Sequence, residues 1–421
     1  MEFHFHPGDY VRLRLATREL EGVVLQHSDS DILLLKLNSG YNIGIRRENI
    51  LAGRILKTFK DEQVQKKEPQ KNNGLPKIGL VITGGTIASK LDVRTGGVKH
   101  LVAVDEFARF YPELFQIAAV KKIEVPFKIA SESMTSEHWI GIATAVKEML
   151  DDPEIKGIIV THGTDTLGYT GAALSFFLRN LNKPVVLTYS QRSIDRASSD
   201  ASLNLQCAAR MALSDCAEVL LVGHATANDD FCYALRGTKA RKLHTSRRDA
   251  FKAVNEDPVA KVFPDRVEFL SQYRPRNSEK VDLDTEFSDK VALVKFYPGQ
   301  DPSILDFYAL KYKGIIIEGS GLGHVPVSES TNNWIPTLKK HIKQGLVVCM
   351  TSQCINGRVD GYVYSNGREL LDAGVIFLED MLAETAFVKL GWVLGHHGWK
   401  KHVAEKMLAD VAGEINERLT I

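Results

Sequence analysis

Two hydroxyl-bearing stretches carry the residue types that chemistry needs. The first, Val81-Ile82-Thr83-Gly84-Gly85-Thr86-Ile87-Ala88-Ser89, follows the apolar Ile78-Gly79-Leu80, so a run of strand length ends in paired glycines and a threonine. Adjacent glycines allow a sharp turn and let a ligand approach the main chain. Ligands bind at the carboxyl ends of strands in an open α/β sheet. Thr86 therefore fits a nucleophile or a ligand clamp, with a tight turn and a capping threonine as the plainer reading. The second stretch, Gly157-Ile158-Ile159-Val160-Thr161-His162-Gly163-Thr164-Asp165-Thr166, repeats the pattern and adds an acid. A helix starting there favours an ionised Asp165 and can stabilise negative charge that develops nearby. Thr164 and Asp165 also suit the capping of such a helix. Two strand-end threonines reinforce each other, because a parallel sheet can bring both to one crevice.

The elements that must position these residues follow from the hydrophobic pattern. Residues 1–57 read as short strands with a turn at 38–40, spaced as in a small β-barrel. Residues 58–76 are almost wholly polar and turn-rich, and read as a linker. From 77 to 275 strands alternate with helices: strands at 155–160, 184–188 and 219–223, and helices at 137–150, 166–181 and 200–212. That alternation predicts a parallel sheet covered on both faces. A polar loop with Gly96-Gly97 occupies 91–99. A second linker lies near 276–290. A smaller α/β unit then fills 291–421, with strands at 291–296, 314–318 and 345–350, and a largely helical tail. Gly319-Ser320-Gly321-Leu322-Gly323 has a dinucleotide-like look, but no fingerprint follows it and a tight turn is expected.

Composition bounds the function classes. A chain of 421 residues has room for two or three domains. Its net charge of +1 argues against nucleic-acid binding through global charge. No run reaches the length of a membrane span and the first residues lack the pattern of a signal peptide. Five scattered cysteines suit reduced thiols and a cytoplasmic setting. No histidine or cysteine spacing makes a zinc pattern, so no metal is expected, and Thr83-Gly84-Gly85-Thr86 lacks the Gly-Lys-Ser/Thr of a phosphate loop.

Thr83-Gly84-Gly85-Thr86-Ile87-Ala88 and His162-Gly163-Thr164-Asp165-Thr166 together resemble the paired signatures of the bacterial-type L-asparaginases and glutaminases, over residues 77 to about 400. The resemblance implies an asparaginase-like two-domain α/β fold. It also implies acyl transfer from an amide side chain with release of ammonia. Thr86 matches the family nucleophile, and Thr164 and Asp165 match its second threonine and acid. Asp249-Ala250-Phe251-Lys252-Ala253-Val254-Asn255 resembles the family's Phe-Lys-Ser-Val-Asn segment, and counting back from it selects Lys242 as the family lysine, with Lys239 the alternative. Ser131-Glu132-Ser133-Met134 resembles the substrate-binding stretch, which gives Ser131 and Glu132 the amino-acid head of the substrate. The family's lid tyrosine has no match in 91–99, where Thr95 is the nearest substitute.

The N-terminal extension is absent from simple asparaginases. It resembles that of the D-type glutaminase subunits of archaeal glutamyl-tRNA(Gln) amidotransferases. That resemblance implies glutamine as substrate and no cofactor in this chain. The implied partner is a tRNA-binding kinase/transamidase subunit of the E type, which takes ATP and Mg²⁺ and meets Glu-tRNA(Gln). A homodimer within a heterotetramer is implied as well. A free-standing L-asparaginase is the alternative. On chemical grounds a threonine hydroxyl needs an adjacent base. Lys242 serves only when neutral, a state that Arg236, Lys239 and Arg241 favour if they converge on it and that Asp165 opposes. Backbone amides after the glycines suit an oxyanion.

Overall fold

The computed structural model of the chain describes residues 4–27, 29–37, 42–58, 74–85, 87, 89–91, 98–100, 111–193 and 198–418. The turn at 38–40, the polar stretch 59–73, Thr86, and residues 92–97 with Thr95 lie outside the described residues.

Alternating apolar and polar residues build the first sheet. In Tyr10–Arg14, Val11 and Leu13 are buried while Arg12 and Arg14 are exposed, the period of a strand with one face in a core. Five antiparallel strands pair in the order Asn42–Arg46, Ile32–Leu37, Glu19–Leu25, Tyr10–Arg14, Ala52–Lys57. They enclose a small core of Val11, Leu13, Val24, Leu33, Leu35, Ile45 and Ile50.

The second sheet has eight strands, in the order Val267–Phe269, Ala260–Val262, Cys232–Arg236, Val219–His224, Val185–Thr188, Ile155–Thr161, Lys77–Ile82, Ala119–Glu124. The five from Val219–His224 to Ala119–Glu124 pair in parallel. Three antiparallel strands extend the other edge, a departure from the purely parallel expectation. The continuous apolar runs are explained by burial on both faces. Ile158 and Val160 join a core with the helices Ser136–Leu150 and Leu167–Phe177, whereas Ile159 joins the core under Ala201–Ala212. The helix expected over 166–181 ends at Phe177, because Leu178–Arg179 leaves it to pair with Asp282–Leu283. The same pairing orders part of the expected linker at 276–290. Arg276 is also tied down, donating to the carbonyls of Ser214, Ala212 and Lys156.

A third sheet of four parallel strands, Val291–Lys295, Gly314–Gly319, Val347–Ser352 and Ile376–Phe377, forms the C-terminal unit. The turn after Gly314–Gly319 is closed by Ser320 bonding back to His324, with Gly321 and Gly323 at positive φ. The helix Ala383–Gly395 joins the two large units. Its Trp392 stacks on Phe176, ring centroids 5.5 Å apart, and its apolar residues share a core with Ile316 and Cys349 of the third sheet. Beyond the helix Val403–Leu408 the chain returns without helix, held by Glu414, whose carboxylate pairs with Lys389 at 2.5 Å with both side chains fully buried.

Candidate active site

Parallel pairing of Lys77–Ile82 with Ile155–Thr161 sets Ile82 beside Thr161, so the two glycine-containing turns leave the sheet side by side. Thr83 ties them further: its Oγ1 donates to the Thr161 carbonyl at 2.9 Å. Gly84 and Gly85 both have positive φ, at 118° and 79°. A Cβ on Gly85 would stand 2.6 Å from the Gly163 nitrogen, so only glycine permits this approach of one turn to the other. On the far side of residue 86, the Ile87 carbonyl accepts a hydrogen bond from the Tyr111 hydroxyl at 2.6 Å. The chain before the expected nucleophile is thus packed against the His162-Gly163-Thr164-Asp165 turn, and the chain after it is held by Tyr111.

That turn is organised by two buried groups. His162 is wholly buried, and burial pushes its pKa down to about 4, so the ring is neutral. Its Nδ1 lies 2.6 Å from the Gly163 carbonyl and must donate there, which leaves Nε2 to accept from the Thr170 hydroxyl at 2.8 Å. Ser131 is buried in the short helical turn Ser131–Ser133. Its Oγ accepts the Asp165 N–H at 3.2 Å and its carbonyl accepts the Thr166 hydroxyl at 2.7 Å. Glu132, next in the chain, is exposed. The residue before the helix Leu167–Phe177 is Thr166, so Thr164 and Asp165 are released from capping.

They meet Lys242 instead. The Lys242 ammonium donates to Thr164 Oγ1 at 2.8 Å and to Asp165 Oδ1 at 2.7 Å. Lys242 ends the strand Ala240–Lys242, which pairs with Phe251–Ala253 in a hairpin. The alternative lysine points elsewhere. Lys239 is fully buried and donates to Asp380 at 2.6 Å. The other neighbouring cations do not converge on Lys242 either. Arg236 pairs with Glu218 at 2.9 Å and Glu256 at 2.5 Å, and Arg241 pairs with Glu384 at 3.1 Å. Each has its own acid, contrary to the convergence considered from the sequence. Asp380 and Glu384 were not singled out from the sequence, and nothing in their local context marks them; His162 stood in the quoted signature without a role.

Comparison with known proteins places the fold. Sequence models described as "Asparaginase, N-terminal" and "Glutaminase/Asparaginase C-terminal domain" match residues 77–274 and 290–407. A solved structure of the thermostable L-asparaginase from Thermococcus kodakarensis aligns with a TM-score of 0.72 at 33% identity, covering 81% of this chain and all of that one. L-asparaginase I from Vibrio cholerae aligns at 0.68 with 26% identity over 81% of this chain and 99% of that one. The class is that of the asparaginase-fold amidohydrolases. The first sheet lies outside simple asparaginases and is matched, over residues 5–55, by a model described as "GatD N-terminal domain". The relative from Pyrococcus abyssi is 48% identical, over 98% of this chain and 96% of its own length. That from Thermococcus kodakarensis is 49% identical over 97% and 94%. Both carry the name of the D-type component of glutamyl-tRNA(Gln) amidotransferase, and this chain belongs to that family.

Proposed function

We propose that the chain is the glutaminase subunit of a tRNA-dependent amidotransferase, hydrolysing glutamine to glutamate and ammonia. The observation that carries this reading is Lys242 bridging Thr164 and Asp165 where the two glycine turns meet. In the proposed reaction the Thr86 hydroxyl attacks the side-chain amide carbon and loses its proton to a base. The carbonyl oxygen becomes an oxyanion, which main-chain N–H groups of the glycine turns stabilise. Collapse of this intermediate expels ammonia, which takes up a proton, and leaves a glutamyl ester on Thr86. Water then hydrolyses the ester to release glutamate. The Thr164–Lys242 contact suits the proton traffic. As an ammonium Lys242 donates to Thr164; as a neutral amine it can accept from the same hydroxyl, so one contact passes a proton by reversing direction. Asp165 holds the lysine, and Ser131 and Glu132 face the head of the amino acid.

ATP and Mg²⁺ are assigned to an E-type partner subunit that binds Glu-tRNA(Gln) and consumes the ammonia. This chain is proposed to act as a cytoplasmic homodimer within that assembly. A subunit that exports ammonia gains from being slow alone, and the polar loop after the nucleophile, without the family's lid tyrosine, fits a site completed by the partner. The test is ammonia release from glutamine by the chain alone, with partner, and with partner plus glutamylated tRNA. Rates should rise in that order. A tenfold step needs only about 1.4 kcal/mol of preferential stabilisation of the complete site. Equal rates refute the gating, and a preference for asparagine restores the free-standing asparaginase.

A further inference from the structure

The end of the eight-stranded sheet opposite the threonines holds a second polar recess. A cavity of about 210 Å³ opens between the start of Val219–His224, the short strand Leu178–Arg179, the segment bearing Arg274, and Ala412 of the returning C-terminal chain. The Val219–His224 strand separates the two ends of the sheet by about 16 Å, from roughly 3.3 Å per residue. Three arginines line the recess, and their situations differ. Arg236 is neutralised by Glu218 and Glu256. Arg274 commits one Nη to the Val411 carbonyl at 3.0 Å and keeps the rest of its fork exposed. Arg179 is half-buried and its guanidinium lies 5.7 Å from the centre of the Trp392 ring, with no hydrogen bond or ion pair to a described residue. Burial draws Arg179 below the usual guanidinium range; Asp284 and Glu414 oppose this from a distance, while Arg274 adds to it.

A guanidinium presents five donors in a rigid fork, and a half-buried one ordinarily meets a carboxylate. No side chain of the recess fills that role. Glu218 is committed to Arg236 and to the Arg274 N–H, and Glu279 is exposed. We propose that the recess binds a small oxyanion, a phosphate or carboxylate group, between Arg179 and Arg274. The volume exceeds the roughly 30 Å³ share of one water several times over. Planar forks recognise carboxylate and phosphate bidentately. Occupancy would fasten the returning chain, through Arg274 and Val411, to the sheet that leads to Lys242.

The test titrates the full chain with inorganic phosphate and, separately, with malonate, at constant ionic strength against chloride. Calorimetry reads affinity and thermal unfolding reads the linked rise in melting temperature. Malonate is the carboxylate probe because, unlike glutamate, it lacks the amino-acid head that the Thr164–Lys242 site would take. Saturable binding of either anion with one site per chain is expected. Arg179→Gln and the exposed Arg274→Gln should each weaken it about tenfold or more, the loss of one charge-assisted pair. Lys242→Met should leave it unchanged. Binding of phosphate alone or malonate alone supports the site and fixes the ligand's chemistry. Absence of saturable binding by both anions, or binding that neither arginine substitution weakens, overturns it.

Discussion

Lys239 and Lys242 stand three residues apart, and substituting each by methionine should fail in different ways. Lys242 is 16% exposed and pairs with an Asp165 side chain that is 62% exposed. An ion pair so open to water contributes about 0–1 kcal/mol to stability. Lys242→Met should therefore unfold close to the parent midpoint. Loss of a general base costs about 10²–10⁴-fold in rate, so its ammonia release from glutamine should fall by that much. Lys239 and Asp380 are both wholly buried and 2.6 Å apart. Removing one partner of a buried pair costs about 3–5 kcal/mol, a large share of the roughly 5–15 kcal/mol that holds a domain together. Asp380 keeps hydrogen bonds from the Asn416 main chain at 2.9 Å and side chain at 2.8 Å, which places the expected loss at the lower end of that range. Lys239→Met should then unfold at clearly lower denaturant, while its folded fraction, assayed at low temperature, keeps activity within about tenfold of the parent. The two readouts are denaturant unfolding and ammonia release on the same preparations. A Lys239→Met chain that is stable but inactive, beside a Lys242→Met chain that stays active, would refute the assignment of the base.

Thr86→Val removes a hydroxyl at nearly constant shape, so glutamine hydrolysis should drop by orders of magnitude with the unfolding curve unchanged; near-normal activity in the folded variant contradicts Thr86 as nucleophile. Gly85→Ala forces a Cβ to 2.6 Å from the Gly163 nitrogen at a φ of 79°, so activity should fall at least about tenfold with about 1–3 kcal/mol of destabilisation, and full activity would show that the two turns need not touch. His162 is held neutral with its pKa pushed down to about 4, against about 6.5 for an unfolded chain. The folded value is the depressed one, so between the two the unfolded chain binds more protons, and this contribution is present above about pH 6.5 and lost as pH falls toward 4. The loss should reach about 3 kcal/mol, read as the difference between the parent and His162→Asn in unfolding experiments across that window; a constant difference would mean that the ring is charged in the fold.

How far the sequence could be read depended on how local each cause was. Four of the five parallel strands were legible because burial on both faces writes an unbroken apolar run, as in Ile158-Ile159-Val160; the edge strand Ala119–Glu124, only partly buried and carrying Lys121 and Lys122, was not. Ala260–Val262 and Val267–Phe269 were not, since three residues are too few to show a period of two. The helix end at Phe177 was missed because its cause, pairing of Arg179 with Asp282, sits far along the chain. The site divided in the same way. Threonines after glycine at a strand end announce themselves, whereas the acid that Lys239 takes does not: Asp380 lies 141 residues away.

The run Arg236-Gly237-Thr238-Lys239-Ala240-Arg241-Lys242 explains why the site needs the C-terminal unit at all. Read alone it is a basic surface stretch; in the fold its four cations take different acids. Arg236 and Lys239 are drawn inward. Arg241 and Lys242 follow as neighbours in a strand and so point to opposite faces. One face meets Glu384 and the other meets Thr164 and Asp165. Asp380 and Glu384 both belong to the stretch around the start of the Ala383–Gly395 helix, so the short hairpin carrying Lys242 is fixed from the C-terminal side on two bonds. The two acids on the second unit back the hairpin from one side while Thr164 and Asp165 hold the Lys242 ammonium from the other, so losing the Lys239 bond alone costs stability and leaves Lys242 with its own partners.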